Sequence, residues 1–108
     1  MANGDLVFYV QLAVRQDRID EWRRAVDDVI EHMSAEDAFV ACYLHQDAHD
    51  KCLFTLYERW REPSVEAFLA NQMKPYRVAY DDKLPELLQR PRAAAVLKPL
   101  GEWHKEQR

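Results

Sequence analysis

The residues best suited to chemistry lie near the end of one alternating, apolar stretch, residues 51–60 (KCLFTLYERW). If this stretch is a β-strand, Glu58 shares a face with Phe54, Leu56 and Trp60, because alternate side chains of a strand point the same way. A carboxylate on an apolar face is costly to bury unless it is paired, and active sites often contain such groups. Glu58 is therefore a candidate general base; the alternative is a structural partner for an arginine or a backbone N–H group.

Two other side chains could take part in the same chemistry. His32 lies at the end of a predicted helix, and an imidazole can accept a proton near neutral pH; the alternative is that its charge stabilises the helix C-terminus. Trp60 could donate its indole N–H to a substrate oxygen, with a place in the core or in a pocket wall as the alternative. His45 and His49 are expected at the surface of a hairpin turn.

A second helical region could supply the remaining walls of a pocket. Gln72, Tyr76 and Tyr80 are candidate donors to a substrate oxygen, with core packing as the alternative. Phe54 and Leu56 of the strand and Phe68 and Leu69 of the helical region are candidate apolar contacts. The candidate substrate-binding residues are thus Phe54, Leu56, Phe68, Leu69, Gln72, Tyr76 and Tyr80.

The sequence offers little for metal or nucleotide chemistry. Cys42 and Cys52 lack the Cys/His spacing of a zinc site, and we expect two reduced thiols and no metal. With two glycines in 108 residues, the chain has no G-x-G-x-x-G or Walker-type loop.

Composition and charge limit the class of protein further. With 48% hydrophobic and 31% charged residues, the chain is typical of one soluble globular domain. Its net charge of −4 makes nucleic acid an unlikely partner. No apolar run approaches the ~20 residues that span a bilayer, and the start lacks a basic signal-peptide region, so we expect a cytoplasmic protein with no membrane partner. The single domain is expected over residues 1–108, with a core at about 5–98 and a polar tail at 99–108.

The hydrophobic pattern predicts the element order β-α-β-β-α-β. Strands are expected at residues 6–14, 38–46, 51–60 and 92–98, with a first helix capped by Asp17. The second helical region consists of a helix that begins near Pro63 and a further helix at about Pro75 to Gln89, with a kink or restart of the latter at Pro85. Right-handed crossovers then give a ferredoxin-like α+β sandwich, a four-stranded antiparallel sheet with helices on one face.

The other face of this sheet is also apolar, which predicts an oligomer. A patch of this kind rarely remains in contact with water on a monomer. We therefore expect a two-fold homodimer in which two sheets face each other. The side chains expected on this face are Val7, Tyr9, Ala13, Tyr43, Leu53 and Tyr57.

One segment resembles a known family. Residues 31–50 (EHMSAEDAFVACYLHQDAHD) followed by 54–60 (FTLYERW) resemble the antibiotic biosynthesis monooxygenase (ABM) domain family of the dimeric α+β barrel superfamily. Members have a helix that ends near a His, an acidic turn, a strand, an Asp-containing turn, and a strand that ends Tyr-Glu-x-Trp. The resemblance covers roughly residues 6–98.

The resemblance implies a cavity between the sheet and the helices of each subunit. Family enzymes oxidise quinols or aromatic polyketide phenols with dioxygen, without metal or flavin. By this resemblance the chain is a homodimeric, cofactor-independent monooxygenase for a small aromatic substrate, with Glu58 or His32 as the base. Trp60, Gln72 and Tyr76 would then orient the substrate.

Two departures keep other functions open. Many members have a His on the helix after the Trp, where this chain has Leu69, and many have a Gly where it has Ala38. Haem cleavage is not expected, because the first strand offers Gln11 or Phe8 instead of the Asn of the haem-degrading relatives. The alternatives are an isomerase or degrading enzyme for a small oxygenated metabolite, or a non-catalytic small-molecule-binding protein.

Overall fold

The computed structural model describes residues 5–105. Within that range the elements are β1 (Leu6–Ala13), α1 (Ile19–Ser34), β2 (Phe39–Gln46), β3 (Leu53–Trp60), α2 (Val65–Asn71), α3 (Pro75–Leu87) and β4 (Ala93–Leu97). The predicted element order is confirmed, and the second helical region consists of two helices, as the sequence predicts. Residues 1–4 and 106–108, which belong to the expected start of the chain and to the expected tail, lie outside the described residues.

All four strands form one antiparallel sheet in the order β2-β3-β1-β4. This order and the three helices on one side confirm the predicted ferredoxin-like α+β fold. β1 and β3 are the central strands and pair from Leu6 opposite Trp60 to Ala13 opposite Leu53. We call the side of the sheet that carries Val10, Leu56 and Glu58 the covered face, because the helices pack on it.

The covered face and α1 together make most of the core. α1 buries one stripe of apolar side chains, in which Trp22 is fully buried and packs against Phe54 of β3 with ring centroids 4.6 Å apart. This stripe follows from apolar residues three or four positions apart, which lie on one side of a helix. Its buried members are Trp22, Val26, Val29 and Met33.

The connections are fixed by short side chains. In the β2–β3 turn, Asp47 Oδ2 accepts from the backbone N–H groups of His49 and Asp50, both at 2.9 Å, which is an Asx-type turn. Ser64 caps α2 by accepting from the backbone N–H of Ala67 at 3.1 Å.

The predicted start of the first helix is wrong. Asp17 does not cap α1; it lies in a separate 3₁₀ turn, Gln16–Arg18, and Arg18 precedes the α-helix without a side-chain cap. Of the kink or restart expected at Pro85, the restart is not found, because α3 continues through Pro85 to Leu87. Proline removes the hydrogen bond that its own N–H would donate, but the backbone N–H of Leu88 still bonds to the carbonyl oxygen of Leu84.

The opposite side of the sheet, which carries Tyr9, Tyr43 and Tyr57, is called the open face. Tyr9 and Tyr43 are 38% and 56% exposed, as expected for this side. Val7 and Ala13 are not exposed: they are 2% and 6% accessible. Val7 lies between the larger Arg59 of β3 and Leu97 of β4, and Ala13 lies opposite the larger Leu53 of β3. The open face is therefore rich in tyrosine and less rich in exposed aliphatic residues than the sequence predicts.

Within residues 5–105, the helices are all too short or too polar to cross a bilayer.

Candidate active site

A cavity of about 440 Å³ lies between the covered face and the three helices. Every strand except β2 contributes to its lining, and most of the lining side chains are apolar. The polar and charged lining residues are Glu58, Gln72, Arg77, Tyr80, Asp81 and Arg92. An apolar cavity with a few convergent polar groups is the usual form of a small-molecule site.

A second depression of about 400 Å³ lies at the end of α3, lined by residues such as Arg15, Pro85 and Arg90. Its described polar lining residues are exposed or half-buried. Because buried polar groups distinguish a binding site from a surface hollow, we assign the candidate site to the first cavity.

Glu58 is the buried carboxylate of that cavity. It is 4% exposed, and its Oε1 accepts a hydrogen bond from Trp60 Nε1 at 3.0 Å. The hydrogen bonds within residues 5–105 leave Oε2 without a protein donor, and no arginine, lysine or histidine of that range forms a salt bridge with Glu58. The structural role considered above, with an arginine or a backbone N–H as partner, is therefore not what the geometry shows.

Trp60 stands behind Glu58 and does not line the cavity. It is fully buried, and its ring meets Phe39 and Phe68 edge-on, with centroids 5.3 and 5.1 Å away. Since residues i and i+2 of a strand share a face, β3 places the indole beside the carboxylate. Trp60 therefore fixes Oε1 of Glu58 through a hydrogen bond and makes no hydrogen bond to Oε2.

Arg77 is a cation on the same cavity wall. Its Nη1 donates to Met33 Sδ at 3.3 Å, and its guanidinium carbon lies 5.9 Å from the centroid of the Phe68 ring. Within the described part of the chain it forms no salt bridge. Arg92, by contrast, pairs with Asp81 at 2.9 Å. The cavity thus contains one carboxylate, Glu58, and one guanidinium, Arg77, that protein partners leave unneutralised.

Cys42 responds to both charges. It lies opposite Glu58 in the β2–β3 pairing and faces the helices. Burial, followed by the negative charge of Glu58, raises the pKa of the Cys42 thiol to about 12, and the positive charge of Arg77 opposes the shift. A thiol with such a pKa stays protonated and unreactive near neutral pH.

Gln72 lines the cavity and has a buried acceptor that the described residues leave unpaired. It is 5% exposed, and its Nε2 donates to Glu36 Oε1 at 2.8 Å. Its Oε1 is the buried side-chain atom for which the described residues supply no hydrogen-bond partner.

Tyr80 contributes a buried hydroxyl. Its oxygen accepts from Trp22 Nε1 at 3.2 Å. Burial raises the pKa of Tyr80 to about 12, although the hydrogen bond from Trp22 lowers it. Tyr80 therefore remains a neutral phenol that can donate its own proton in a hydrogen bond.

Of the candidate residues named from the sequence, six line the cavity. Glu58 and Leu56 come from β3, and the remaining four come from the second helical region. The six are Leu56, Glu58, Phe68, Leu69, Gln72 and Tyr80.

The other four lie elsewhere. His32 is more than half exposed, its Nδ1 lies 2.9 Å from the carbonyl oxygen of Asp28, and its ring stacks on Tyr76 at 4.9 Å. Tyr76 donates its hydroxyl to Glu36 instead of facing the cavity. Phe54 packs on Trp22, and Trp60 lies behind Glu58. The structure therefore brings neither His32 nor Tyr76 to the cavity. The last turn of α1 directs His32 outwards, and the Tyr76 hydroxyl is used by Glu36.

Sequence reasoning missed Arg77 and Glu36. Arg77 lies three residues before Tyr80 and seven before Leu84, so it continues the buried stripe of α3. A cation on a buried stripe is a detectable signal, although a long side chain can also extend from such a position to solvent. Glu36 lies in a turn, and its partners lie 36 or more residues away, so no local pattern identifies it.

Comparisons with known proteins agree on one family. The family model described as antibiotic biosynthesis monooxygenase matches residues 6–77. Rv0793 from Mycobacterium tuberculosis is 31% identical, with a TM-score of 0.80, and the match covers 91% of this chain and 97% of that one. No curated protein matches significantly.

Two more distant structures share the fold. PA3566 from Pseudomonas aeruginosa is 22% identical with a TM-score of 0.80, over 94% of this chain and 99% of that one. A Nitrosomonas europaea protein that its name places provisionally among antibiotic biosynthesis monooxygenases is 19% identical with a TM-score of 0.81, over 93% and 94%.

Proposed function

This chain belongs to the antibiotic biosynthesis monooxygenase family, and we propose that it oxidises a small phenolic or quinol-type aromatic compound with dioxygen, without metal or flavin. Such substrates become electron-rich when they lose a proton, and they can then reduce dioxygen themselves. For an anthrone, the ring CH₂ becomes a carbonyl, one oxygen atom enters the product and the other leaves as water. The protein must hold the substrate, accept a proton and exclude bulk water.

The observation that carries this proposal is the burial of Glu58 together with its incomplete hydrogen bonding. Its carboxylate is buried on the wall of an apolar cavity, and one oxygen accepts from Trp60 while the other has no protein donor among the described residues. A carboxylate in such surroundings is a suitable proton acceptor for a bound phenol. We assign it the role of general base.

Arg77 and Tyr80 complete the proposed chemistry. When the phenol loses its proton, negative charge develops on the substrate oxygen and on the oxygen species formed later. Arg77 lines the same cavity and has no salt bridge among the described residues, so its charge is available to stabilise these anions. Tyr80 remains protonated and could donate to them.

The same base could serve a non-oxidative reaction. An isomerase or a degrading enzyme would exchange a substrate C–H proton with solvent and consume no dioxygen. Leu69, 58% exposed at the cavity where many relatives have His, favours a third possibility, a protein that binds its ligand without catalysis.

Oxygen uptake with a panel of hydroquinones and anthrones, in buffer freed of metal and flavin, tests the proposal. We expect turnover of at least one compound, and we expect Glu58→Gln to lower kcat by ~10²–10⁴-fold, the range for loss of a general base. Glu62→Gln is the matched control, because Glu62 is also a buried carboxylate but pairs with Asn71 and does not line the cavity. No turnover across the panel, or equal kcat in wild type and Glu58→Gln, would contradict the proposal.

We also propose that the protein is a homodimer through its open face. Tyr9 and Tyr43 are 38% and 56% exposed on this side, and the rings of Tyr43 and Tyr57 lie 6.0 Å apart across neighbouring strands. A second copy of the same face would cover these rings in a two-fold arrangement. Light scattering of the wild-type protein measures this directly.

A further inference from the structure

One carboxylate outside the cavity organises part of the cavity wall. Glu36 lies between α1 and β2, and its Oε1 accepts from Gln72 Nε2 at 2.8 Å and from Lys74 Nζ at 3.1 Å. Its Oε2 accepts from the Tyr76 hydroxyl. The three donors come from the α2–α3 connection and the start of α3, so Glu36 fixes the position of this connection. The reaction proposed above does not use this cluster.

The chemistry of Glu36 decides which way the Gln72 amide points. An amide end has an oxygen that accepts and an NH₂ group that donates, whereas an ionised carboxylate only accepts. Turning the Gln72 amide over would place its Oε1 against Glu36 Oε1, with no hydrogen between them. The NH₂ group must therefore face Glu36, and the Gln72 oxygen must face away from it.

The described residues leave the Gln72 oxygen without a partner. Gln72 lines the cavity, its side chain is 95% buried, and Oε1 is the unpaired buried side-chain atom of the described residues. Buried acceptors are almost always hydrogen-bonded, and an exception calls for an explanation such as a role in catalysis or in binding a water or a ligand. The missing group must be a donor, because the free atom is an acceptor.

We propose that Gln72 Oε1 accepts a hydrogen bond from a hydroxyl of the bound substrate, and that Glu36 is the positioning residue that enforces this acceptor. The inference rests on the proposed function, in which Glu58 takes the proton of one hydroxyl. It narrows the substrate class to aromatic compounds with at least two hydroxyl groups, one for Glu58 and one for Gln72. A methyl ether at the second position would lose the hydrogen bond and leave the Gln72 oxygen unpaired.

Binding without turnover tests this inference separately from catalysis. The probes are 1,5-dihydroxynaphthalene and 5-methoxy-1-naphthol, in which a methyl group replaces one hydroxyl hydrogen. Their dissociation constants are measured by calorimetry under anaerobic conditions. We expect wild type to bind the dihydroxy compound at least 10-fold more tightly. Equal affinities, or no binding of either compound, would overturn the inference.

Variants of the two residues should both lower this ratio, but each through a different compound. Gln72→Met removes the acceptor, so the ratio should approach one through weaker binding of the dihydroxy compound. Glu36→Ala frees the amide to turn and offer its NH₂ group, so the ratio should fall through tighter binding of the methoxy compound. A merely structural role of Glu36 would weaken both compounds equally, and that result would overturn its assignment.

Two further variants serve as controls. Glu36→Gln should keep most of the preference, because its amide oxygen can still accept from Gln72 Nε2. Glu62→Ala breaks a similar amide–carboxylate pair, Asn71 Nδ2 to Glu62 Oε2 at 2.9 Å, that does not line the cavity, and it should leave the ratio unchanged. A ratio changed as strongly by Glu62→Ala as by Glu36→Ala would also overturn the inference.

The two proposals fail in distinguishable ways. If the preference is found but no compound is oxidised, the inference about Gln72 stands as a ligand preference and the oxygenase proposal fails. If both probes are oxidised with equal kcat/KM and bind equally, the oxygenase proposal stands and the inference fails.

Discussion

The two faces of the sheet differ in how many partners they provide for a charged side chain. Glu58 and Arg59 are consecutive in β3, so one points to the covered face and the other to the open face. On the open face, Arg59 lies between two carboxylates, Asp5 at 3.4 Å and Glu102 at 3.0 Å. On the covered face, Glu58 has a single donor, the indole of Trp60, and no salt bridge among the described residues.

The contrast distinguishes Arg59, whose charge stabilises the structure, from Glu58, whose charge we propose is used in the reaction. Arg59 is neutralised by its neighbours, and its ion pairs connect the start and the end of the described chain to the sheet. Glu58 stays under-compensated in a place where a carboxylate is expensive, so stability alone does not explain it. One strand thus supplies both a stabilising contact and the carboxylate that we propose as the general base.

The largest effect that we predict is the loss of the dimer when a cation is added to the open face. Tyr57→Arg would place a second guanidinium next to Arg59, and dimerisation would bury it without a partner. Uncompensated burial of a charge costs about 3–5 kcal/mol. We expect light scattering to report a monomer or an aggregate.

The control for this substitution is Ala70→Arg, which adds the same charge at an exposed position of α2 on the other layer. It should leave the oligomeric state as it is in the wild type. If Tyr57→Arg also leaves a dimer intact, the subunits associate through a different surface.

On the covered face, Trp60→Phe tests how far Glu58 depends on one donor. The substitution removes the hydrogen bond to Oε1 and leaves a buried carboxylate oxygen unpaired, which costs about 1–3 kcal/mol in the free energy of unfolding. Urea denaturation measures this loss.

The double variant Glu58→Leu/Trp60→Phe is the control for that loss. Without the carboxylate, Trp60→Phe should cost less, and the difference between the two backgrounds measures the coupling of the pair. Equal costs in both backgrounds would mean that packing against Phe39 and Phe68, and not the hydrogen bond, gives Trp60 its role.

The sequence predicts the sheet better than the helical layer. Strand period places Glu58, Leu56 and Trp60 on one side with no knowledge of their neighbours, and the structure agrees. The positions of His32 and Tyr76 are harder to predict, because a small rotation of a helix decides whether a side chain near its end faces the cavity or solvent. No pattern within either helix records that rotation.

The polar contacts of the site are the least predictable part. Gln72 is correctly placed at the cavity, but the sequence suggests it as a donor, and only the distant Glu36 shows that its donor group is already used. Similarly, β2 contains a bulge near Val40, which moves that residue out of the alternation of Cys42 and Leu44. Contacts between residues far apart in sequence decide both cases.

The smallest effect that we predict uses Cys42 as a reporter of the charge on Glu58. The folded protein holds the thiol proton more tightly than the unfolded chain, since its pKa rises from 9.0 to about 12. As pH rises from 9 to 12, the unfolded chain therefore loses this proton first, and the free energy of unfolding falls by at most about 1.4 kcal/mol per pH unit. Cys42 is only partly buried, so solvent screening makes the real slope smaller.

The difference between wild type and Cys42→Ala isolates this contribution from that of other groups, including Tyr80. Below pH 8 the difference should be constant, because the thiol is protonated in both states. Between pH 9 and 12 wild type should lose stability faster, and in a Glu58→Gln background this excess should shrink but persist, since burial contributes more than the carboxylate. An excess of the same size in both backgrounds would mean that Glu58 carries no charge there, and its contrast with Arg59 would then be one of burial alone.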